Sequence, residues 1–154
     1  MEKNQISTNP TGIVALVAHW SNVFGLPINT IEEFPEGSRI ALAIKLIDEE
    51  FMETLDGIDN KNIEEVKDGL GDLLWVTIRA MMEFGINPEE TIKAIYDSNM
   101  SKADTTLEDA TTTYHKYKEQ GIETYSKEVQ GLFITYRTSD NKVLKSHKFK
   151  APEL

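Results

Sequence analysis

An all-α bundle of four to five helices with a small C-terminal β-hairpin is the fold this sequence predicts, on three observations. Apolar residues recur at three- and four-residue spacing through most of the first hundred positions, the period of a helix that buries one face. Start and stop signals divide that stretch at short intervals. Past residue 130, β-branched and aromatic residues cluster around a turn signal. With 154 residues and 40 % hydrophobic content, the chain has enough apolar surface for one domain over 1–154, with a helical core over about 12–102 and an extension over 103–154.

The first helix is expected over 12–24, "GIVALVAHWSNVF", whose apolar positions 13, 14, 16, 17, 20, 23 and 24 cover a broad face before "GLPIN" breaks it. The second runs from Glu36 to about Ile58, with apolar residues at 40, 44, 47, 51, 55 and 58. "DGIDN" then turns the chain, and either Asn60 or Asn62 caps a third helix that carries Ile63, Val66, Leu70, Leu73, Leu74, Ile78, Met81 and Phe84 up to Gly85. In "GINPEE", Asn87 is an N-cap and Pro88 the first residue of a fourth helix, expected through about Lys102. A fifth helix is expected over about 106–119. In "GLFITYRTSDNKVLKSHKF" the strands are expected to flank "SDNK".

Charge is unevenly distributed. Residues 1–102 hold 18 acids and 8 bases, whereas 103–154 hold 8 of each, so the whole net charge of −10 arises in the front two-thirds. Such a surface repels phosphate backbones and argues against a nucleic-acid partner. With no cysteine, the chain has no disulfide, thiolate metal site or cysteine nucleophile. No apolar run approaches the roughly 18 residues that span a bilayer, and the N-terminus lacks a basic region followed by an apolar one; the expectation is a soluble, cytoplasmic protein with no membrane partner.

The acids fall into a pattern. "LIDEEFMETLDGI" places Glu49 four residues before Glu53 and Glu50 three before it, and Glu65, Asp68 and Asp72 repeat that spacing on the next helix. Two antiparallel helices thus each present an acid cluster near their connecting turn. Like charges so spaced destabilise a free helix by a few tenths of a kcal/mol per pair. The clusters are either solvated faces or a site for a divalent cation, and an all-oxygen set suits Mg²⁺, with Mn²⁺ as a substitute, over zinc. The histidines, His19, His115 and His147, form no ligand pattern. Gly69 and Gly71 interrupt a helix interior at a cost of roughly 1 kcal/mol each, for close packing or for ligand room. Asp72, between apolar neighbours, is expected at the edge of the core. Asn99 and Lys102, three apart at the end of the fourth helix, either compensate its dipole or contact phosphate.

On these residues the chain resembles the all-α nucleoside triphosphate pyrophosphohydrolases, the MazG-like and phosphoribosyl-ATP pyrophosphohydrolase-like group, over about 13–102. Glu49, Glu50 and Glu53 match its Glu-Glu-x-x-Glu motif, "DGLGDLLWV" its second acidic motif, and Asn99 with Lys102 its Asn-x-x-Lys; the ending "NKVLKSHKFKAPEL" resembles those of phage-type members. Many members carry Glu three residues before the second Asp, where this chain has Gly69, so Asp68 takes that role. The resemblance implies metal-dependent hydrolysis of a nucleoside or deoxynucleoside triphosphate to monophosphate and pyrophosphate. It assigns Mg²⁺ to Glu50, Glu53, Asp68 and Asp72, makes Glu49 a ligand or the base, and gives the triphosphate to Asn99 and Lys102. It also implies a homodimer or homotetramer.

Base recognition falls to His19, Trp20 and Asn22 if they are not core residues, while Trp75 reads as core and Phe133, Tyr136 and Phe149 either cover the site or close a subunit contact. Phosphoribosyl-ATP and dUTP are the alternative substrates. The rival from another class is a non-catalytic acidic adaptor, in which the acids bind a basic partner.

Overall fold

The computed structural model describes residues 10–154 and contains, among them, five helices and one two-stranded sheet: α1 (Ile13–Val23), α2 (Gly37–Asp59), α3 (Ile63–Glu83), α4 (Pro88–Met100), α5 (Leu107–Glu119), β1 (Thr124–Val129) and β2 (Leu132–Arg137). This is the all-α architecture with a hairpin appendage expected from the periodicity. The start of the expected 1–154 domain, residues 1–9, lies outside the described residues. The chain divides into two compact units, the first ending at Glu89 and the second covering Glu90–Leu154.

In the first unit, α2 and α3 form an antiparallel hairpin and α1 packs on α3. Val17, Ile78 and Met82 make the buried cluster, with Val14, Ala18, Ile28 and Trp75 packed around it. Trp75, expected in the core, is a partly buried wall of it. The α2–α3 turn is capped by Asn62, whose side chain accepts from the Glu64 amide.

Two features fix the register of the α2–α3 pair. At the turn end, a Cβ on Gly69 would stand 2.6 Å from Thr54 Oγ1 and 3.0 Å from the Thr54 amide nitrogen, and one on Gly57 would stand 2.9 Å from the Val66 nitrogen. Only glycine lets the helices approach this closely. At the far end, Glu83 on α3 receives the guanidinium groups of Arg39 from α2 and of Arg79 from its own helix, and Arg79 also donates to the Pro27 carbonyl at 3.1 Å. Arg79 and Glu83 are both buried, so each charge depends on the others for its solvation. The loop before α2 is pinned to α3 by Asn29 N–H to Met82 O at 2.9 Å and Glu33 N–H to Phe84 O at 3.1 Å. Gly85 serves this loop at φ 71°, since a Cβ there would collide with the Ile31 carbonyl.

In the second unit, the hairpin packs on α5, which Thr106 caps through the Asp109 amide. α4 stops at Met100, two residues before the expected end, and Lys102 lies in the following turn. The hairpin corrects the sequence reading. Its tight turn is Gln130–Gly131, both at positive φ, the geometry that matches strand twist in a two-residue loop. "SDNK" does turn the chain, with Asp140 accepting from Arg137 and from the Lys142 amide. It leads only to a single bridge, Tyr136 with Val143, because the chain then leaves the sheet and runs onto α5, where Tyr117 donates to the Lys145 carbonyl. Tyr136 stacks on Tyr125 at 5.2 Å within the hairpin.

Candidate functional site

The acid-bearing faces of α2 and α3 meet along one strip. Helix spacing places Glu50 and Glu53 on one face of α2, and the Gly69–Thr54 contact brings Asp68 and Asp72 of α3 alongside. Glu50 reports that neighbourhood: partial burial raises its carboxyl pKa, and so do the nearby charges of Asp72, Glu53, Glu49 and Asp68. Glu50 therefore lies within electrostatic reach of each of the other three acids expected to act with it, and of Glu49.

Beside the connecting turn the strip opens into a hollow of about 360 Å³ lined by Glu53, Asp56, Asn60, Glu65, Asp68 and Gly69. Asp56 and Asn60 are lining residues that the sequence reading left out of its clusters, and Glu65, named in the α3 cluster, was not among the residues assigned to the metal. The signal for Asp56 was available, since it stands three after Glu53, the same-face spacing used for the others.

Several placements differ from expectation. Asp72 is exposed in the single chain, not at the edge of the core. Glu49 pairs with Lys45 at 3.1 Å. Gly71 has open space around it, unlike Gly69. As placed, no three acidic or histidine side chains among the described residues converge closely enough to grip one metal ion. The donor chemistry nonetheless fits a hard dication: carboxylate oxygens from two facing helices, with the Glu50 carboxyl pushed up first by burial and then by the like charges around it.

On α1, Trp20 meets Trp75 edge-on at 5.8 Å and Phe24 at 4.8 Å, so it belongs to an aromatic cluster as much as to any ligand face. His19 Nδ1 is buried with no hydrogen-bond partner among the described residues, and Asn22 is exposed. In the second unit, Lys102 donates to the Asn99 side-chain oxygen at 2.6 Å, so the amide and ammonium do share one side of the α4 terminus.

A family model for phosphoribosyl-ATP pyrophosphohydrolase matches residues 18–99, from the middle of α1 to the last turn of α4 and more than half of the chain. The chain belongs to the phosphoribosyl-ATP pyrophosphohydrolase family. The matched span contains both acid clusters and Asn99 and ends just before Lys102. Membership in this pyrophosphohydrolase family, the MazG-like group that the motifs resemble, supports a pyrophosphohydrolase activity. The chain is also 35 % identical over 75 residues to "Uncharacterized protein L479" of Acanthamoeba polyphaga mimivirus, an alignment that takes in 46 % of this chain and 30 % of that protein. It thus spans less than a third of that relative's length. No helix among the described residues is long and apolar enough to cross a membrane.

Proposed function

We propose that the protein hydrolyses a nucleoside or deoxynucleoside triphosphate to the monophosphate and pyrophosphate, in a divalent-metal-dependent reaction at the α2–α3 acid strip. The observation that carries the reading is that Glu50, on α2, feels the charges of Glu53 on its own helix and of Asp68 and Asp72 on the paired α3, all within the family's matched span. Mg²⁺, or Mn²⁺ in its place, would be held by these four carboxylates, and when bound it supplies neutralisation of phosphate charge and a lowered pKa for water.

The side chains have separable tasks. Glu53 and Asp68 lie at the hollow, where they and the floor at Gly69 set the position of the ligand oxygens. Glu49 is the candidate general base; its exposed pair with Lys45 is worth little and leaves the carboxylate free to turn towards a water. Asn99 and Lys102 are the candidate phosphate contacts, already oriented by their mutual hydrogen bond. His19, Trp20 and Asn22 are the candidate base contacts: an aromatic face beside two groups able to bond a base edge. A cytoplasmic setting and a homodimer or homotetramer complete the proposal. The oligomer is supported by the apolar surface that α2 and α3 leave uncovered, including Ile44 at 63 % exposure and Leu70 at 53 %. Phosphoribosyl-ATP, named in the family's description, is the second substrate to try.

The test is release of pyrophosphate from a panel of eight ribo- and deoxyribonucleoside triphosphates and phosphoribosyl-ATP, each with Mg²⁺, with Mn²⁺ and with EDTA. Metal-dependent release from one or a few supports the reading. Folded protein that cleaves none of them contradicts it and returns attention to the acidic adaptor.

A further inference from the structure

The chain's C-terminal segment is unusually well anchored. Residues 144–150, "LKSHKFK", carry three lysines and a histidine with no acid, in a chain of net charge −10. They do not trail into solvent. The Leu144 amide donates to Thr135 O at 2.8 Å, Tyr117 donates to Lys145 O at 2.8 Å, and the Ser146 amide donates to Lys102 O at 3.2 Å. Ser146, itself buried, donates its hydroxyl to the buried Asp104 and accepts from the Lys148 amide at 2.9 Å. The His147 amide donates to Thr113 at 3.0 Å, and Asp109 holds both the His147 ring and the Lys148 ammonium. At the end, Ser98 and Ser101 of the α4 terminus take the Lys150 backbone: the Lys150 amide donates to Ser101 Oγ at 2.9 Å and Ser98 Oγ donates to the Lys150 carbonyl at 2.8 Å.

These anchors bracket one place. Ser98, Ser101 and the Lys102 carbonyl surround Asn99 and Lys102, so the segment is a strap laid across the helix end that carries both candidate phosphate contacts. Its other lysines are occupied: Lys148 pairs with Asp109, and the Lys145 ammonium lies 4.0 Å from the Phe149 ring centre. Lys150 is exposed and has no ion-pair partner among the described residues. The Lys150 backbone is held by Ser98 and Ser101, which flank Asn99 and precede Lys102 in the chain, and repulsion between two cations carried there turns to attraction once a polyanion lies between them.

We propose that the strap is a phosphate-contacting arm, with Lys150 acting beside Lys102 on the triphosphate of the substrate and on released pyrophosphate. The inference rests on the pyrophosphohydrolase reading and adds to it a residue some fifty positions past the family's matched span.

Calorimetric binding of inorganic pyrophosphate to the full chain, with steady-state kinetics on whichever triphosphate the wild type cleaves, tests it. Lys150→Ala should weaken pyrophosphate binding and raise KM on the order of tenfold, the loss of one charge-assisted contact, with kcat within about twofold. Lys150→Arg should recover most of the loss, and Ser101→Ala, which frees the strap without touching a lysine, should reproduce it in part. Lys127→Ala on β1 is the control expected to change nothing. If Lys102→Ala weakens pyrophosphate binding while Lys150→Ala leaves binding and KM at wild-type values, the strap only covers the helix end and the proposal is overturned. If the wild type neither binds pyrophosphate nor cleaves a triphosphate, the pyrophosphohydrolase reading itself has failed and the arm falls with it.

Discussion

Gly69 and Gly71 stand two apart in α3 and meet opposite surroundings, which makes their substitution a clean comparison. Gly69→Ala drives a methyl into Thr54 and should destabilise the fold by about 1–3 kcal/mol, whereas Gly71→Ala adds a methyl in open space and should stabilise by up to about 1 kcal/mol through helix propensity; thermal melts of the two variants check both. Nothing in the sequence distinguished them, since which glycine touches α2 depends on the interhelical register. At the other end of the pair, Glu83→Ala leaves Arg39 and the buried Arg79 without their shared carboxylate. A loss of about 3–5 kcal/mol is expected in chemical unfolding, and a loss below 1 kcal/mol would mean that water already solvates the two guanidinium groups. For the acids themselves, Glu53→Gln and Asp72→Asn should each abolish turnover while leaving the melting temperature unchanged or slightly raised, because each removes one of the like charges around Glu50. Activity retained in both would remove the metal assignment.

At the scale of elements, the helices were legible because their apolar spacing and their caps agree: Asn62 and Thr106 bond the amides expected of N-caps, and Pro88 opens α4. The hairpin was legible only as a hairpin. "SDNK" is a strong turn signal by composition, but pairing is decided by which strand has a partner, and β1, "TYSKEV", has too little apolar alternation to announce itself. The strap was invisible for a related reason: its anchors are backbone groups and short hydroxyls scattered from Ser98 to Thr135. One consequence is a dependence on pH. Hydrogen bonds from Lys148, His147 and Thr106 hold the Asp109 carboxyl at about 2, below its ordinary 3.8. A carboxyl so lowered contributes its stabilisation in full above about pH 4 and loses it as the pH falls towards 2. Hydrogen exchange at the His147 and Lys148 amides should accelerate over that interval in the wild type. Asp109→Asn should show fast exchange already at pH 6, and slow exchange in that variant would mean that the backbone anchors alone hold the strap.

For the whole molecule, the charged groups are unevenly shared between the two compact units. One unit concentrates carboxylates on a helix pair, and the other carries an Asn-Lys pair and a basic strap. The apolar positions of α2 and α3 that the periodicity marked as core, Phe51, Ile58, Leu70 and Leu74 among them, are exposed in the single chain. The spacing identified an apolar face, but a sequence does not say whether its own chain or a copy supplies any cover for it. Sedimentation should therefore give a mass at least twice 17.4 kDa, and Leu74→Glu should shift it towards the single chain. A monomeric wild type would leave that face for some other partner. All of this turns on whether the α2–α3 strip holds a divalent cation. The most direct measurement is calorimetric titration of Mg²⁺ and Mn²⁺ into the wild type and into Glu53→Gln and Asp72→Asn. Saturable binding to the wild type that either substitution abolishes is the predicted result. An absence of binding to folded wild-type protein, or binding unchanged in both variants, would contradict the account.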